Sequence, residues 1–237
     1  MSSPLFYVQS LPSLSGALVL PDDTAKHIAQ VLRMQAGEVI SLTDGKGKMY
    51  EATIQEATKK KCTVQVTKLT EVSVLAKKIS MAISPLKNNS RLEWFLEKAT
   101  EIGVTQIILL QCERTEKQYV KLERLQTIII SAMLQSQQAW CPQLVGPIPF
   151  AQYISEPHST ASKYIAHCEN SEKLPLKTAI VSEKVLEHKV VLIGPEGDFS
   201  PKEIALAIAH NYTPVSLGHN RLRTETAALV AATILNI

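Results

Sequence analysis

The sequence GPEGDF at residues 194–199 combines residue types suited to binding a small ligand. It follows an apolar run at residues 190–193 that predicts a buried strand. Ser200, Pro201 and Glu203 then predict a helix N-terminus, with Ser200 as the N-cap and Glu203 completing a capping box. Ligands bind α/β sheets at such strand-to-helix loops, and glycine lets them approach the backbone closely. A plain tight turn is the alternative interpretation of this motif alone.

A second motif, LGHNRLRTETA at residues 217–227, repeats the order of strand, loop and helix. Thr224 is the predicted N-cap, and Glu225 suits the positive end of a helix that continues through Leu235. Arg223 would then be fixed at a helix start beside a glycine-containing loop. A guanidinium there can hold a phosphate or stabilise developing negative charge, although a surface arginine explains Arg223 equally well on its own.

These two motifs and several earlier ones resemble the bacterial 16S rRNA uridine-N3 methyltransferases, a family of the SPOUT superfamily. The resemblance extends over nearly the whole chain. Its earlier part is carried by Phe6, His27, Val31-Leu32-Arg33, Gly37, Asp44-Gly45, Lys87, Arg91, Glu93, Lys98-Ala99-Thr100-Glu101 and Gly103. The chain departs from the family pattern at Asp198, where glycine is usual, and at Leu134 and Gln138, where the family has acidic and arginine residues.

The resemblance implies an α/β fold in two domains. Residues 1–72 would form a PUA-like RNA-binding β-barrel, and residues 73–237 a trefoil-knotted SPOUT methyltransferase domain with a parallel sheet. General topology rules exclude knots, so the knot is implied by the resemblance alone. The resemblance also implies a homodimer whose active site draws on both subunits.

The implied cofactor is S-adenosyl-L-methionine, and the implied substrate is 16S rRNA of the small ribosomal subunit. The expected cofactor-binding residues are Ala166, His167, Ile193, Gly194, Gly197, Leu217, Gly218 and Leu222. Arg223 is the first candidate for stabilising a uridinate-like transition state, and Glu196 acts as a base or, in the preferred interpretation, holds the loop. The expected RNA-binding residues are His27, Arg33, Lys87 and Arg91. No metal is expected, because the sulfonium already carries the leaving group.

Short strands separated by turns are predicted in the first 70 residues, at 39–43, 49–54 and 62–66. Asp44-Gly45 predicts a hairpin turn, and residues 22–34 predict a helix with Ile28, Val31 and Leu32 on one face. Beyond residue 72, strands at 79–83, 106–110, 164–166, 190–193 and 215–217 alternate with helices, including 91–102 and 122–138. Gly103 is the predicted stop of the first of these helices.

Composition limits the classes of protein. With 45% hydrophobic and 20% charged residues over 237 positions, the chain is expected to be a globular protein. Its four cysteines form no C-x-x-C pair, so neither a zinc site nor a disulfide framework is indicated. The net charge of +3 favours a polyanionic partner only mildly. The absence of a 20-residue apolar run and of a signal-like N-terminus predicts a cytoplasmic location.

Two other functions remain open from the residues. One is a non-catalytic RNA-binding or ribosome-assembly factor that keeps the fold, and Asp198 is the feature in its favour. The other is a related SPOUT enzyme that methylates another RNA base or a ribose. The presence of Gly194, Gly197, Gly218 and Arg223 favours the catalytic interpretation, and the barrel-first order favours the uridine enzyme.

Overall fold

A computed structural model of the chain describes residues 3–11, 16–74, 77–117, 119–156, 161–182 and 187–237. The chain forms two compact units, residues 1–74 with 133–141 and residues 75–132 with 142–237. The predicted domains divide after residue 72, and residues 75 and 76, just beyond this point, lie outside the described residues. No helix within the described ranges is long and apolar enough to cross a membrane.

The first unit is built on a five-stranded sheet in the order β1-β3-β4-β5-β2. Its elements are β1 (Leu5–Tyr7), β2 (Ala17–Val19), α1 (Asp22–Lys26), a π-helical segment (His27–Leu32), β3 (Val39–Thr43), β4 (Lys48–Ala57) and β5 (Cys62–Glu71). Strands β1 and β3 are parallel and the other pairs are antiparallel. The predicted hairpin is confirmed, because Thr43 pairs with Met49 across it.

The predicted helix at residues 22–34 begins at the expected residue, but only its first part is α-helical. It changes after Lys26 to a π-helical segment and ends at Leu32, since Arg33 adopts the left-handed conformation at φ 56°. Ile28 is fully buried, whereas Val31 is 66% exposed and Leu32 41% exposed. The expected shared face is therefore wrong, because the wider π turn changes which positions point the same way.

The second unit contains a seven-stranded sheet in the order β10-β12-β9-β11-β6-β7-β8, and all of its neighbouring strands are parallel. Its strands are β6 (Lys78–Ile83), β7 (Gln106–Gln111), β8 (Gln143–Pro149), β9 (Ala161–Ala166), β10 (Leu174–Pro175), β11 (His188–Ile193) and β12 (Thr213–Ser216). Its helices are α2 (Asn89–Ile102), α3 (Leu122–Gln135), α4 (Phe150–Ser155), α5 (Leu176–Ser182), α6 (Pro201–Ala209) and α7 (Thr224–Asn236).

The helix boundaries agree with the sequence at most ends. Gly103 terminates α2 in the left-handed conformation, and Ser200 and Glu203 form the predicted capping box of α6. Two ends differ. Helix α3 stops three residues before the expected Gln138, and the N-cap of α7 is Arg223 while Thr224 is its first helical residue. The strand and helix alternation itself is confirmed, and the knot stays a prediction.

Candidate active site

The candidate site lies where strands β12, β9, β11 and β6 end at one edge of the parallel sheet. These four strands are consecutive neighbours, and each leads into a loop at its carboxyl end. Strand β11 occupies the middle, so its residues 190–193 are all buried. Parallel sheets bind ligands at this edge where the chain order changes direction. Here β11 and β9 are neighbours although β10 and α5 separate them in sequence.

Two adjoining clefts open at this edge. The first has a volume of about 390 Å³ and lies between the loops that follow β9 and β12. Its walls are residues 166–168, Lys173, residues 215–222 and Ala227. The second has a volume of about 430 Å³ and includes the loop that follows β11. Both volumes lie in the range of small-molecule sites.

The two clefts share part of their lining, so they form one continuous depression. The shared residues are Ala166, Cys168, Arg221, Leu222 and Ala227. The second cleft alone contains charged groups of both signs. These are Arg91, Glu196, Asp198, Arg221, Arg223 and Glu225.

The structure brings most of the residues predicted from sequence to this depression. Seven of the eight expected cofactor-binding residues line it: Ala166, His167, Ile193, Gly194, Leu217, Gly218 and Leu222. The exception is Gly197, which faces Arg114. The loop turns at Pro195 and Asp198 and points residue 197 toward the loop after β7, so its expected contact with a cofactor stays a prediction.

The two candidate catalytic residues both line the second cleft, but they differ in what holds them. Arg223 is exposed at the N-cap of α7 and makes no ion pair among the described residues. Glu196 is also exposed, and its Oε1 accepts a hydrogen bond from the Lys87 backbone N–H at 3.1 Å. The Glu196 contact joins the loop after β11 to the loop after β6.

The four expected RNA-binding residues are divided between the two units. Arg91 lines the second cleft, where its Nε lies 3.6 Å from Oε1 of Glu225. Lys87, which precedes Arg91 in the chain, is exposed, and its Nζ pairs with Glu116 at 2.8 Å. In the first unit, His27 and Arg33 are both exposed. The His27 ring packs edge-on against Phe6 with centroids 6.1 Å apart.

Contacts from three neighbouring loops fix the conformation of the GPEGDF loop. Arg114 donates from one guanidinium nitrogen to the carbonyl oxygens of Gly197 and Phe199, at 2.9 and 3.4 Å. Asp198 accepts from the Cys168 backbone N–H at 2.7 Å. With the Glu196 contact, the loop is tied to the segments after β6, β7 and β9. Such a site is formed before any ligand arrives.

The buried carboxylate of Glu203 extends this framework below the loop. One of its oxygens accepts from the Ser200 N–H at 2.8 Å, and the other accepts from the Glu113 N–H at 2.8 Å. The capping box therefore also connects α6 to the loop after β7. Burial beside Glu203 raises the pKa of the Cys112 thiol, so this cysteine is a neutral core residue.

His167 is the electrostatically unusual residue of the first cleft. It is only 8% exposed, and neither ring nitrogen has a hydrogen-bond partner among the described residues. Burial lowers its pKa from the ordinary value, and the nearby Lys173 lowers it further, while Asp198 and Glu169 oppose the shift. The imidazole is therefore neutral at physiological pH.

Comparison with known proteins decides the class of this site. A sequence model of the RNA methyltransferase domain matches residues 73–236, and one of the RNA methyltransferase PUA domain matches residues 20–67. The first match alone covers more than half of the chain. The chain belongs to the RNA methyltransferase family.

Relatives within this family are similar over most of their length. The ribosomal RNA small subunit methyltransferase E of Synechocystis sp. is 32% identical over 213 residues, which are 89% of this chain and 69% of that protein. A structure described as a probable rRNA-methyltransferase from Porphyromonas gingivalis is 40% identical, with a TM-score of 0.89 over 97% of this chain and 95% of that one. The ribosomal RNA small subunit methyltransferase E of Neisseria gonorrhoeae, solved bound to S-adenosyl methionine, is 29% identical, with a TM-score of 0.86 and the same coverage.

Some residues that shape this RNA methyltransferase site were not predicted. Arg114 and Lys173 lie in loops with no motif around them, so local sequence carries no signal for their contacts. The Glu225 carboxylate is 90% buried and faces Arg91. Its position in the first turn of α7 predicts a favourable interaction with the helix dipole, but the partner 134 residues earlier in the chain is visible only in the fold.

Proposed function

We propose that this chain is an S-adenosyl-L-methionine-dependent methyltransferase that methylates N3 of a specific uridine in 16S rRNA of the small ribosomal subunit. The observation that carries the proposal is the two-part cleft at the carboxyl edge of the sheet, in a chain of this family. One part is lined mainly by uncharged residues together with Lys173 and Arg221, and the other also contains Arg91 and Arg223. The relative bound to S-adenosyl methionine has the same overall fold.

The lining of the clefts fits this cofactor. A side chain at Gly218 would point into open space, so the absence of a Cβ there leaves the backbone of the first cleft accessible. Leu217 and Leu222 provide apolar contact area, and backbone groups of residues 166–168 and 194–195 are at hand for the polar edge of an adenine. The residues that would hold the cofactor are Ala166, His167, Ile193, Gly194, Leu217, Gly218 and Leu222. When bound, the cofactor supplies an electrophilic methyl group on a sulfonium.

The chemistry left to the protein concerns the proton and the negative charge of the base. Uridine N3 carries a proton, which must pass to solvent water before the nitrogen can form a bond to a methyl group. Negative charge then develops on the uracil ring, and Arg223 at the second cleft stabilises it. Glu196 holds the loop after β11 through the Lys87 N–H, and we assign it this structural role rather than that of the base.

RNA contacts are proposed from both units. Arg91 places a cation in the second cleft, and Lys87 lies in the loop that leads into the same helix. In the PUA-like unit, His27 begins the π-helical segment and Arg33 caps its end, and both are exposed. Such residues fix the position of an RNA through phosphates without reading its bases. The homodimer, the cytoplasmic location, the absence of a metal and the division into residues 1–72 and 73–237 are parts of this proposal.

The test is methyl transfer from labelled S-adenosylmethionine to small ribosomal subunits that lack the modification, with the product nucleoside identified by mass. Labelled 3-methyluridine is the expected product. Another methylated nucleoside would replace uridine N3 as the target and favour a different SPOUT activity. Cofactor binding without transfer would contradict the choice of RNA substrate, and the lack of both would favour the non-catalytic RNA-binding factor.

A further inference from the structure

Asp198 joins the two loops that leave the neighbouring strands β9 and β11. Its Oδ2 accepts a hydrogen bond from the Cys168 N–H at 2.7 Å, and its Oδ1 accepts one from the Phe199 N–H at 2.9 Å. Its own N–H donates to the carbonyl oxygen of Pro195 at 2.9 Å. A single residue thus sets the turn of one loop and the distance to the other.

The backbone conformation explains why glycine is common at this position and what the aspartate adds. Asp198 has φ 62°, in the left-handed region where glycine is free of strain and aspartate is among the tolerated residues. Asp198 keeps the turn that a glycine would make, so this departure does not favour the non-catalytic alternative. Relative to glycine, the gain is two charge-assisted hydrogen bonds, one of which crosses to the other loop.

Both of the loops that Asp198 joins line the clefts. Ala166 and Cys168 belong to one, Gly194 and Pro195 to the other, and Asp198 itself lines the second cleft. In the loop after β9, the His167 ring makes no hydrogen bond to any of the described residues. The loop after β9 is therefore held at this end by the Asp198 carboxylate and by Lys173, whose Nζ donates to the His167 carbonyl oxygen at 3.0 Å.

We propose that Asp198 is a positioning residue that keeps the loops after β9 and β11 at the spacing required for cofactor binding. This proposal rests on the proposed function. Without the carboxylate, the Cys168 N–H loses its acceptor and the loop after β9 samples other positions. Cofactor affinity then falls in proportion to the fraction of molecules whose loops are correctly placed.

Three substitutions at Asp198 separate the effect of backbone strain from the effect of losing the side-chain hydrogen bonds. Asp198→Gly keeps the positive φ without strain and removes both hydrogen bonds. Asp198→Ala removes the same bonds and adds backbone strain. Asp198→Asn keeps one acceptor oxygen and so retains one of the two bonds. Asn211→Gly is the matched control, because Asn211 also has a positive φ, 63°, but lines neither cleft.

The first measurement is binding of S-adenosylhomocysteine and S-adenosylmethionine to the full chain by titration calorimetry. We expect Asp198→Gly to weaken both by about tenfold, equivalent to about 1.4 kcal/mol. Asp198→Asn should lie between this variant and the wild type, and Asn211→Gly should bind normally. In the transfer assay, the KM for the cofactor should rise while kcat and the KM for RNA stay unchanged.

Hydrogen exchange at the Cys168 amide reports on the contact itself without any ligand. We expect faster exchange in Asp198→Gly and Asp198→Ala than in the wild type and Asn211→Gly. Unchanged exchange at Cys168, or affinity within twofold of the wild type in Asp198→Gly, would overturn the proposal. If the wild-type chain bound neither ligand, the proposed function would fail and the role in cofactor binding with it, whereas the exchange result would still decide whether Asp198 holds the loop.

Discussion

The side chains that line the second cleft form two groups, those held by other residues and those left free to meet a substrate. Glu196 and Asp198 accept hydrogen bonds from neighbouring backbones, and Arg91 faces Glu225. Arg223 has no such partner within the described chain, although the N-cap of α7 fixes its backbone. A guanidinium that no carboxylate neutralises can meet negative charge that develops on a substrate, which is the role proposed for Arg223.

Arg223→Ala should therefore reduce turnover while leaving the fold and cofactor binding intact. Loss of one preorganised charge-stabilising donor typically costs on the order of 10²- to 10³-fold in kcat. The measurement is single-turnover methyl transfer, with S-adenosylhomocysteine affinity measured in parallel. Arg124→Ala is the control, since Arg124 is an exposed arginine paired with Glu93 outside both clefts. Near-normal turnover in Arg223→Ala, with folding and cofactor binding intact, would exclude the assigned role.

The His167 imidazole makes the stability of the second unit depend on pH. Its pKa in the folded chain is lowered by burial and by Lys173. The unfolded chain, with an ordinary pKa near 6.5, therefore binds a proton that the folded chain excludes. The free energy of unfolding should fall as pH decreases below about 6.5 and should be level above it.

Urea unfolding between pH 5 and 8 tests this dependence, and Trp94 in α2 reports on the second unit when Trp140 is replaced by Phe. The comparison is His167→Gln, also with Trp140 replaced by Phe. Glutamine does not titrate, and the other histidines contribute equally to the pH dependence of the two proteins. The wild type should lose more stability on acidification than His167→Gln. If the free energy of unfolding changed with pH in the same way in the two variants, His167 would have the same pKa in the folded and the unfolded chain.

Residue roles were predictable where a motif fixes a local conformation, and unpredictable where contacts join distant segments. Ser200, Glu203 and Gly103 act as the sequence indicates, because capping depends on residues within one helical turn. The contacts of Asp198 with Cys168 and of Arg91 with Glu225 span 30 and 134 residues. No periodicity or spacing encodes such pairs, since they exist only after the strands take their order in the sheet.

At the scale of elements, central strands were predicted well and edge strands were missed. Strand β3 has the predicted bounds, and β11 contains the predicted apolar run because both of its faces are covered. Strands β8 and β10 are the two edges of the parallel sheet, and both contain proline. Proline interrupts the alternation used for recognition but is tolerated where one side of a strand has no partner.

The two glycines of the GPEGDF loop are expected to differ in their tolerance of a side chain. A Cβ at Gly194 would lie 3.0 Å from the Phe199 nitrogen and 3.1 Å from its ring, and Phe199 is fully buried. A Cβ at Gly197 would make ordinary contacts of 3.5 and 3.6 Å with Arg114. Gly194→Ala should therefore displace the Phe199 anchor and cost about 1–3 kcal/mol of stability.

Gly197→Ala is the matched control in the same loop, and we expect it to fold and to bind S-adenosylhomocysteine normally. Gly194→Ala should bind it more weakly, since the loop that lines the second cleft must shift. Urea unfolding and calorimetry provide the two readouts. Equal losses of cofactor affinity in both variants would contradict the position of Gly197 outside the cleft.

At the scale of the whole molecule, the units are not contiguous in sequence. Residues 133–141 belong to the first unit although they follow α3 along the chain. There, Lys46 and Trp140 form an antiparallel bridge, and the Cys141 N–H donates to the Gly45 carbonyl oxygen at 2.9 Å. Trp140 also donates from its indole nitrogen to the Val72 carbonyl oxygen at 3.1 Å. The sequence predicted only a longer helix here, because nothing local indicates a segment that returns to the Asp44 hairpin.

Gly47 is the position where this returning segment can be tested. A Cβ there would lie 2.6 Å from Cε2 of the Trp140 indole, and Gly47 also has φ +93°. Gly37 has the same φ of +93°, but a Cβ there meets nothing within 4 Å. The two glycine-to-alanine substitutions therefore share a backbone strain of about 1–2 kcal/mol and differ in the steric clash.

We expect Gly47→Ala to be less stable than Gly37→Ala by a further 1–3 kcal/mol or so, because the indole must leave its place and its hydrogen bond with Val72. The chain has two tryptophans, and Trp94→Phe removes the one in the second unit. The fluorescence emission of Trp140 then reports on the first unit alone. The emission of Gly47→Ala should shift to longer wavelength as the indole meets water, whereas that of Gly37→Ala should not. Identical emission and stability in the two variants would mean that residues 139–141 do not pack on the hairpin, and the first unit would then end with β5.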